Sequence, residues 1–399
     1  MPRPSLSSLR ASKNALAPHY SRFRVAERLL LTGHSHQAWP DVGFEAQQAA
    51  WTDAAELVDD KWQRAFAKAD RVREALAALL GDTTGTIALG SNTHDLLVRL
   101  LSALPLRQRA RIVTTDGEFH TVRRQLDRLA EEGIEITRIS HEPAAAVAER
   151  LAAAVNDRTT LVVVSSVFYL NAHIAPDLDV VAHACSRVGA ALLVDAYHTL
   201  NAVPFSLADQ ALEQAFVVGG GYKYCQLGEG NCFLRLPPDC TLRPVITGWF
   251  SEFADLAEGQ RSDEVAYGAG PARFAGATYD PTSHYRAAAV LDFFGEHDLT
   301  PAFLREVSQH QVGTLAAAFD ALDLDPAVVT RDRSVPLEQL GGFLALRAPR
   351  AAWLSAGLRQ RGVWTDYRRD VLRFGPAPYL SDAQLTDAMD ALRATVNDS

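Results

Sequence analysis

Phe216-Val217-Val218-Gly219-Gly220-Gly221-Tyr222-Lys223-Tyr224 is the stretch on which the reading of this 399-residue chain turns. A short run of apolar, β-branched residues ends in three glycines, and one lysine follows. The run reads as a buried strand entering a tight turn. Glycine has no Cβ, so another backbone or a flat ligand can come close. Burial depresses the pKa of a lysine and leaves a nucleophilic amine, which suits Schiff-base chemistry. A surface-loop lysine beyond a core strand is the plainer alternative.

A second run, Ala190-Ala191-Leu192-Leu193-Val194-Asp195-Ala196-Tyr197-His198, ends in a carboxylate. Its length and lack of alternation suit a central parallel strand. Asp195 then stands at the C-terminal end of that strand, where ligands bind in open α/β sheets. The alternative for Asp195 is an N-cap on the following turn. A lysine for a Schiff base and an aspartate for a pyridinium nitrogen are the two protein groups that pyridoxal 5'-phosphate most needs.

Asp195-Ala196-Tyr197-His198, then Tyr222-Lys223-Tyr224 and the glycine-rich Leu227-Gly228-Glu229-Gly230-Asn231, resemble kynureninase and its relatives among the fold-type I pyridoxal phosphate enzymes of the class V aminotransferase superfamily. The likeness runs from about Gly33 to about Tyr379. It implies an α/β fold with a mostly parallel, seven-stranded sheet in a large domain and a small α+β C-terminal domain. The expected division is an N-terminal arm (1–50) packing with the small domain, a large cofactor-binding domain (51–285) and the small domain (286–399). The activity implied is hydrolytic cleavage of the Cβ–Cγ bond of L-kynurenine or a related 3-acylalanine, giving L-alanine and an aromatic acid, as in tryptophan catabolism. Another class V activity is the runner-up: an aminotransferase, a β-lyase or a desulfurase. A desulfurase carries a mobile nucleophilic cysteine, and no cysteine follows Cys240. A non-catalytic protein that kept the fold is the third reading, and retention of both Asp195 and Lys223 argues against it.

The resemblance also implies site residues. Gly33-His34-Ser35-His36-Gln37-Ala38-Trp39-Pro40 corresponds to a Gly-Asn-Ser-Leu-Gly-Leu-x-Pro segment near the substrate, so Ser35 and His36 are candidate substrate contacts; a loop with two exposed histidines is the alternative. Gly90-Ser91-Asn92-Thr93-His94-Asp95 opens a helical run whose N–H groups and dipole favour an anion. Thr93 matches the phosphate-binding threonine and Asn92 falls beside it; simple N-capping is the alternative. In Asp116-Gly117-Glu118-Phe119-His120-Thr121, Phe119 matches the aromatic that stacks on the pyridine ring in a Glu-x-x-Phe-Pro-Ser-Asp pattern, and Val122 replaces its aspartate. Ser166 and His198 are further cofactor contacts. Trp249 and Thr278 match residues that reach the cofactor phosphate from a neighbouring subunit, which implies a homodimer with shared active sites. Lys223, Asp195 and Tyr222 form the catalytic set, Tyr222 being the candidate acid. Arg373, on the apolar run Val371–Phe374, is the candidate receptor for a substrate α-carboxylate. Its alternative is an ion pair with Asp366 or Asp370.

Composition excludes other classes. A formal charge of −9 leaves no basic footprint for nucleic acid. No apolar run is long enough to cross a membrane, and the N-terminus lacks the apolar core of a signal peptide, so a cytoplasmic protein is expected, while the resemblance implies a small-molecule amino-acid substrate. Cys185, Cys225, Cys232 and Cys240 lack metal-site spacing and read as reduced packing residues. Helical patterns cover Val42–Leu80, Pro143–Val155 and Pro176–Val188, the last closed by Gly189. Alternation of such helices with strands predicts βαβ units and a mainly parallel sheet.

Overall fold

Seven strands line up around Ala191–Asp195 in the computed structural model, which describes residues 3–83, 86–258 and 264–398. In chain order they are β1 (Ile87–Gly90), β2 (Arg111–Thr115), β3 (Glu135–Ile139), β4 (Thr159–Ser165), β5 (Ala191–Asp195), β6 (Phe216–Gly220) and β7 (Cys232–Arg235). Across the sheet the order is β1-β7-β6-β5-β4-β2-β3. Neighbours from β6 through β3 are parallel, and β7 runs antiparallel to both β6 and β1. Strands β4 and β6 are buried along their whole length, which is why they read as unbroken apolar runs.

Strand periodicity divides the core into two layers. Leu161, Val163 and Leu193 face one cluster, built with Leu96, Leu97, Leu100 and Leu101. Those leucines belong to a helix that packs on that side. Val162, Val164, Leu192 and Val194 face the other, larger cluster. Each fully buried aliphatic side chain there contributes about 1.5–3 kcal/mol.

Besides the five-residue helix Leu6–Arg10, the helices are α1 (Val42–Leu57), α2 (Lys61–Leu79), α3 (Thr93–Ala103), α4 (His120–Glu131), α5 (Val147–Ala154), α6 (Leu178–Val188), α7 (Thr282–Glu296), α8 (Pro301–Ala321), α9 (Ala351–Gln360) and α10 (Asp382–Asn397). Gly189 caps α6 with φ 64°, as the sequence predicts. The helix expected over Val42–Leu80 is two helices instead. They break at Val58–Asp60, where Val58 takes φ 52°. Both halves pack on α7, and one straight helix cannot follow that surface. The run from Pro143 likewise opens as a short 3₁₀ turn, Ala144–Ala146, before α5.

Beyond α8, four short antiparallel strands form a second sheet: β8 (Thr330–Arg331), β9 (Leu344–Arg347), β10 (Asp366–Arg368) and β11 (Val371–Phe374), in the order β10-β11-β9-β8. The N-terminal arm docks here. Leu29–Leu30 pairs in parallel with Val363–Trp364, Thr32 bridges to Gly375, and the Asn14 side chain donates to the Pro378 carbonyl. This docking carries the His34–His36 loop over the C-terminal edge of the large sheet. Among the described residues no helix is long and apolar enough to cross a membrane.

Candidate active site

The C-terminal ends of the parallel strands open on a cavity of about 410 Å³. Lys223 lies at its floor, 5 % exposed. Its Nζ is 2.6 Å from His198 Nε2 and lies over the rings of Tyr197 (4.5 Å), Phe119 (5.4 Å) and Tyr222 (5.9 Å). Among the described residues no carboxylate pairs with it. Burial pulls the amine down to about 7 against the pull of Asp195, and the positive charge of Arg373 adds to the fall. Burial, then the charge on Lys223, hold His198 well below its ordinary value. With a neutral imidazole, a single proton lies between the two nitrogens. The other ring nitrogen, His198 Nδ1, is buried without a partner among the described residues.

Asp195 ends β5 and is half-buried at the cavity wall. Its Oδ1 accepts the Tyr197 N–H at 2.9 Å, the turn-capping role that is the alternative reading of this residue, and its side chain also faces the cavity. Burial raises its pKa, and the Tyr197 N–H and Lys223 oppose the rise.

Close approach accounts for the glycine run. A Cβ on Gly220 would stand 2.3 Å from Tyr197 Oη, so only glycine admits the tyrosine ring beside the lysine. The flat group that the glycines admit is thus a protein ring. Tyr222 is half-buried, tilted against Tyr197 at 4.9 Å and stacked on His36 at 4.8 Å, 13° from parallel. Burial raises its phenol above the ordinary value.

Asn92, Thr93, Phe119, Asp195, His198, Tyr222 and Lys223 all line this one cavity. Asn92 is also the N-cap of α3, its side chain accepting the Asp95 N–H at 2.9 Å, so the capping and lining roles coincide. The N-terminus of α3 therefore opens on the cavity. Val122, in place of an aspartate, contributes an apolar patch to the same wall.

Six predicted residues are outside this lining: Ser166, Trp249, Thr278, Arg373, and, on the N-terminal loop, Ser35 and His36. Ser166 turns away: its hydroxyl is 3.1 Å from the Asp195 carbonyl and 2.6 Å from Thr199 Oγ1, and Ser165 faces the cavity instead. Successive residues of an extended chain point to opposite sides, and the assignment is one residue out of phase. Trp249 and Thr278 lie exposed, outside the cavity of a single chain. They share a surface, because Phe250, stacked on Trp249 at 4.4 Å, donates its N–H to the Gly276 carbonyl. Arg373 is buried and occupied: Nε donates to Asp366 Oδ1 at 2.9 Å, Nη2 to Asp366 Oδ2, and Nη1 to the Tyr169 carbonyl at 2.6 Å. The ion pair that is the alternative reading of Arg373 is therefore present, and two of its five N–H groups remain without a partner among the described residues.

The His34–His36 loop splits. His34 is buried, 1 % exposed, and its Nε2 lies 2.7 Å from Asp366 Oδ1. Burial, then the charge of Arg373, bring it to about 4. His36 is exposed over Tyr222, with Ser35 Oγ 3.1 Å from its Nδ1 and Glu229 Oε1 3.7 Å from its Nε2. Sequence reasoning missed Tyr197, Ser165, Tyr169 and Cys232 in the lining. Tyr197 stood in the quoted motif; the close approach to Gly220 gives it its place.

These groups fit pyridoxal phosphate. A buried amine without a carboxylate partner suits an aldehyde, an acidic strand end suits a ring nitrogen, an aromatic face flanks the lysine, and a helix N-terminus suits a phosphate.

A family model described as the kynureninase C-terminal domain matches residues 304–392. Kynureninase of Burkholderia pseudomallei (strain 1106a) is 28 % identical over 411 aligned positions, spanning 95 % of this chain and 92 % of that protein. The uncharacterized aminotransferase YcbU of Bacillus subtilis (strain 168) is 24 % identical over 338 positions, spanning 84 % and 85 %. Among solved structures, a mutant of C-DES with glycine covalently linked to the pyridoxal phosphate cofactor superposes with TM-score 0.81 at 16 % identity, covering 94 % of this chain and 98 % of that one. Cysteine desulfurase from Thermococcus onnurineus NA1 superposes with TM-score 0.77 at 16 % identity, covering 94 % and 96 %. The fold is that of the pyridoxal-phosphate-dependent enzymes of fold type I, and the groups lining the cavity fit that cofactor. Within that fold the chain is kynureninase-like, with a further likeness to an uncharacterized aminotransferase.

Proposed function

We propose that this enzyme hydrolyses the Cβ–Cγ bond of L-kynurenine or a related 3-acylalanine, giving L-alanine and an aromatic acid. The observation that carries the reading is the buried amine of Lys223, free of any carboxylate partner among the described residues and 5.9 Å from the centre of the Tyr222 ring. The kynureninase likeness over 95 % of the chain supports the substrate class.

Pyridoxal phosphate, when bound, supplies an aldehyde that captures the substrate amine and a ring that takes up the electrons of the departing α-proton. The chain's own groups divide the remaining work. Lys223 holds the cofactor and, once released by the incoming amine, takes the α-proton on Nζ; an amine poised near 7 is free to do so. Asp195 holds the proton on the ring nitrogen, and Phe119 flanks the ring. Thr93, Asn92 and the α3 N-terminus receive the phosphate. Two unpartnered N–H groups of Arg373 serve the α-carboxylate. Cleavage adds water across Cβ–Cγ: its hydroxyl goes to the acyl carbon, Tyr222 Oη gives a proton to the β-carbon and recovers one from the water, and Lys223 returns its proton to the α-carbon. Ser35 and His36 close the mouth over Tyr222. Trp249 and Thr278 reach the phosphate of a second copy in a homodimer.

A desulfurase fits less well. Cys232, the cysteine in the lining, is 4 % exposed, and burial pushes its thiol up to about 11, so it is a poor nucleophile. The test is product analysis of the holoenzyme with L-kynurenine and a panel of 3-acylalanines. Anthranilate, or the matching acid, with equimolar alanine is expected. A keto acid in place of alanine would identify an aminotransferase, and sulfur release from cysteine or cystine with no acid from any acylalanine would overturn the proposal.

A further inference from the structure

We propose that Glu118 is a positioning residue of the cofactor site, tying the ends of β2 and β4 together so that Phe119 and Ser165 are fixed at the cavity wall. The proposal rests on the cofactor reading above, in which Phe119 flanks the ring. Glu118 stands at a position that the Glu-x-x-Phe pattern leaves open.

Its side chain is buried, 3 % exposed. Oε1 accepts from Thr115 Oγ1 at 2.6 Å and from the Ser165 N–H at 3.1 Å, and Oε2 accepts from Ser165 Oγ at 2.6 Å. Three donors converge on one acceptor-only group, a set that suits a carboxylate and no apolar replacement. Burial of such a group without those donors would be costly, so the three contacts persist together.

The location gives the clamp its purpose. Thr115 ends β2 and Ser165 ends β4, adjacent strands in the sheet. Ser165 pairs in register with Asp195 on β5. Phe119 follows Glu118 directly and caps α4 without a side-chain hydrogen bond of its own. The other side of the same turn is held by Asp116, which accepts from the His141 N–H at 2.8 Å. Glu118 is thus the anchor toward the cofactor strands, and Asp116 the anchor toward β3. Removing the first leaves Phe119 attached on the wrong side only.

The experiment compares Glu118→Ala, Glu118→Gln, Thr115→Val and Phe119→Ala. Three quantities are read: the thermal midpoint of the apo-protein, the dissociation constant for pyridoxal phosphate, and the visible circular dichroism per bound cofactor, which reports how the ring is held. Glu118→Ala should weaken cofactor affinity about tenfold, as loosened supporting shells do, and lose most of the visible dichroism. Thr115→Val should move both the same way by less. Glu118→Gln, which keeps an acceptor for Ser165 N–H, should recover most of the dichroism. Wild-type affinity and dichroism in Glu118→Ala, with Phe119→Ala impaired, would overturn the proposal. Should Glu118→Ala fail to fold, unchanged values in Thr115→Val would do so. An unimpaired Phe119→Ala would instead remove the premise, that Phe119 flanks the ring.

Discussion

Arg373→Lys keeps a positive charge at a buried site and removes the planar fork. Arg373 makes three hydrogen bonds, two to Asp366 and one to the Tyr169 carbonyl. A lysine ammonium can retain one contact with Asp366, so two are lost. Each hydrogen bond to a charged partner is worth roughly 1.5–3 kcal/mol, and partial relaxation leaves a net loss of about 3 kcal/mol. With an unfolding entropy of roughly 2.1 cal/mol/K per residue over 399 residues, 1 kcal/mol shifts the midpoint by about 1.2 °C, so thermal denaturation of the apo-protein should fall by about 3–4 °C. If the two unpartnered N–H groups also receive the substrate carboxylate, kcat/KM should fall about ten- to hundredfold, through KM more than kcat. The cofactor absorbance should stay as in the wild type. Asp366→Asn gives the complementary reading: it weakens the structural edge and spares those N–H groups, so its stability loss should exceed its effect on KM. A variant Arg373→Lys with the expected thermal loss and unchanged KM would show that Arg373 is structural and that another group receives the carboxylate.

Five further outcomes are expected. Lys223 should carry the cofactor, so borohydride reduction of the yellow holoenzyme should fix the label on Lys223; a label on another lysine refutes the assignment. Its amine sits near 7 in the folded chain against 10.5 ordinarily. The unfolded chain therefore binds more protons between those values, and the stability of the apo wild type relative to Lys223→Met should rise with pH from 7 to 10.5, by ~4 kcal/mol, with a fall over that window refuting the burial argument. Gly220→Ala places a methyl 2.3 Å from Tyr197 Oη, so Tyr197 must move, and cofactor affinity should drop about tenfold; wild-type affinity in titration would contradict this. Asp195→Asn should keep cofactor and lose turnover by several orders of magnitude, and near-normal turnover would refute its role. Trp249, 44 % exposed in one chain, should be buried in a dimer: Trp249→Ala should raise the dimer dissociation constant in light scattering, and a monomeric wild type with full cofactor would exclude the shared site.

Chemistry that runs along a strand was legible in the sequence, because a strand end delivers its residue to a known edge of the sheet. Asp195 and Lys223 needed only an apolar run and the rule that parallel strands present their C-terminal ends to ligands. Phe119, Thr93 and His198 followed from the same logic with the help of the family pattern. Ser166 failed by one residue. The length of an apolar run fixes where a strand ends to within a residue or so, and at period two that uncertainty decides which side a hydroxyl faces. The break at Val58 was illegible for another reason: no glycine or proline marks it, and it arises from the demand that both α1 and α2 pack on α7.

Pairings between distant segments set the other boundary of what could be read. Arg373 in an apolar run required an anion, and the sequence could name Asp366 among the choices but could not exclude a substrate carboxylate. The structure shows the ion pair, and the carboxylate contact belongs to the function proposed above. A guanidinium has five donors, of which the half-buried Asp366 and the Tyr169 carbonyl together take three. Glu118 obeys the same logic with the sign reversed: three donors from two strands surround one carboxylate and fix the ring beside it. In each case a buried charge is held by partners the chain brings in from elsewhere, 7 residues away for Asp366 and 47 for Ser165. Sequence gives the need for such a partner, through the cost of burying the charge alone, and the fold supplies its identity.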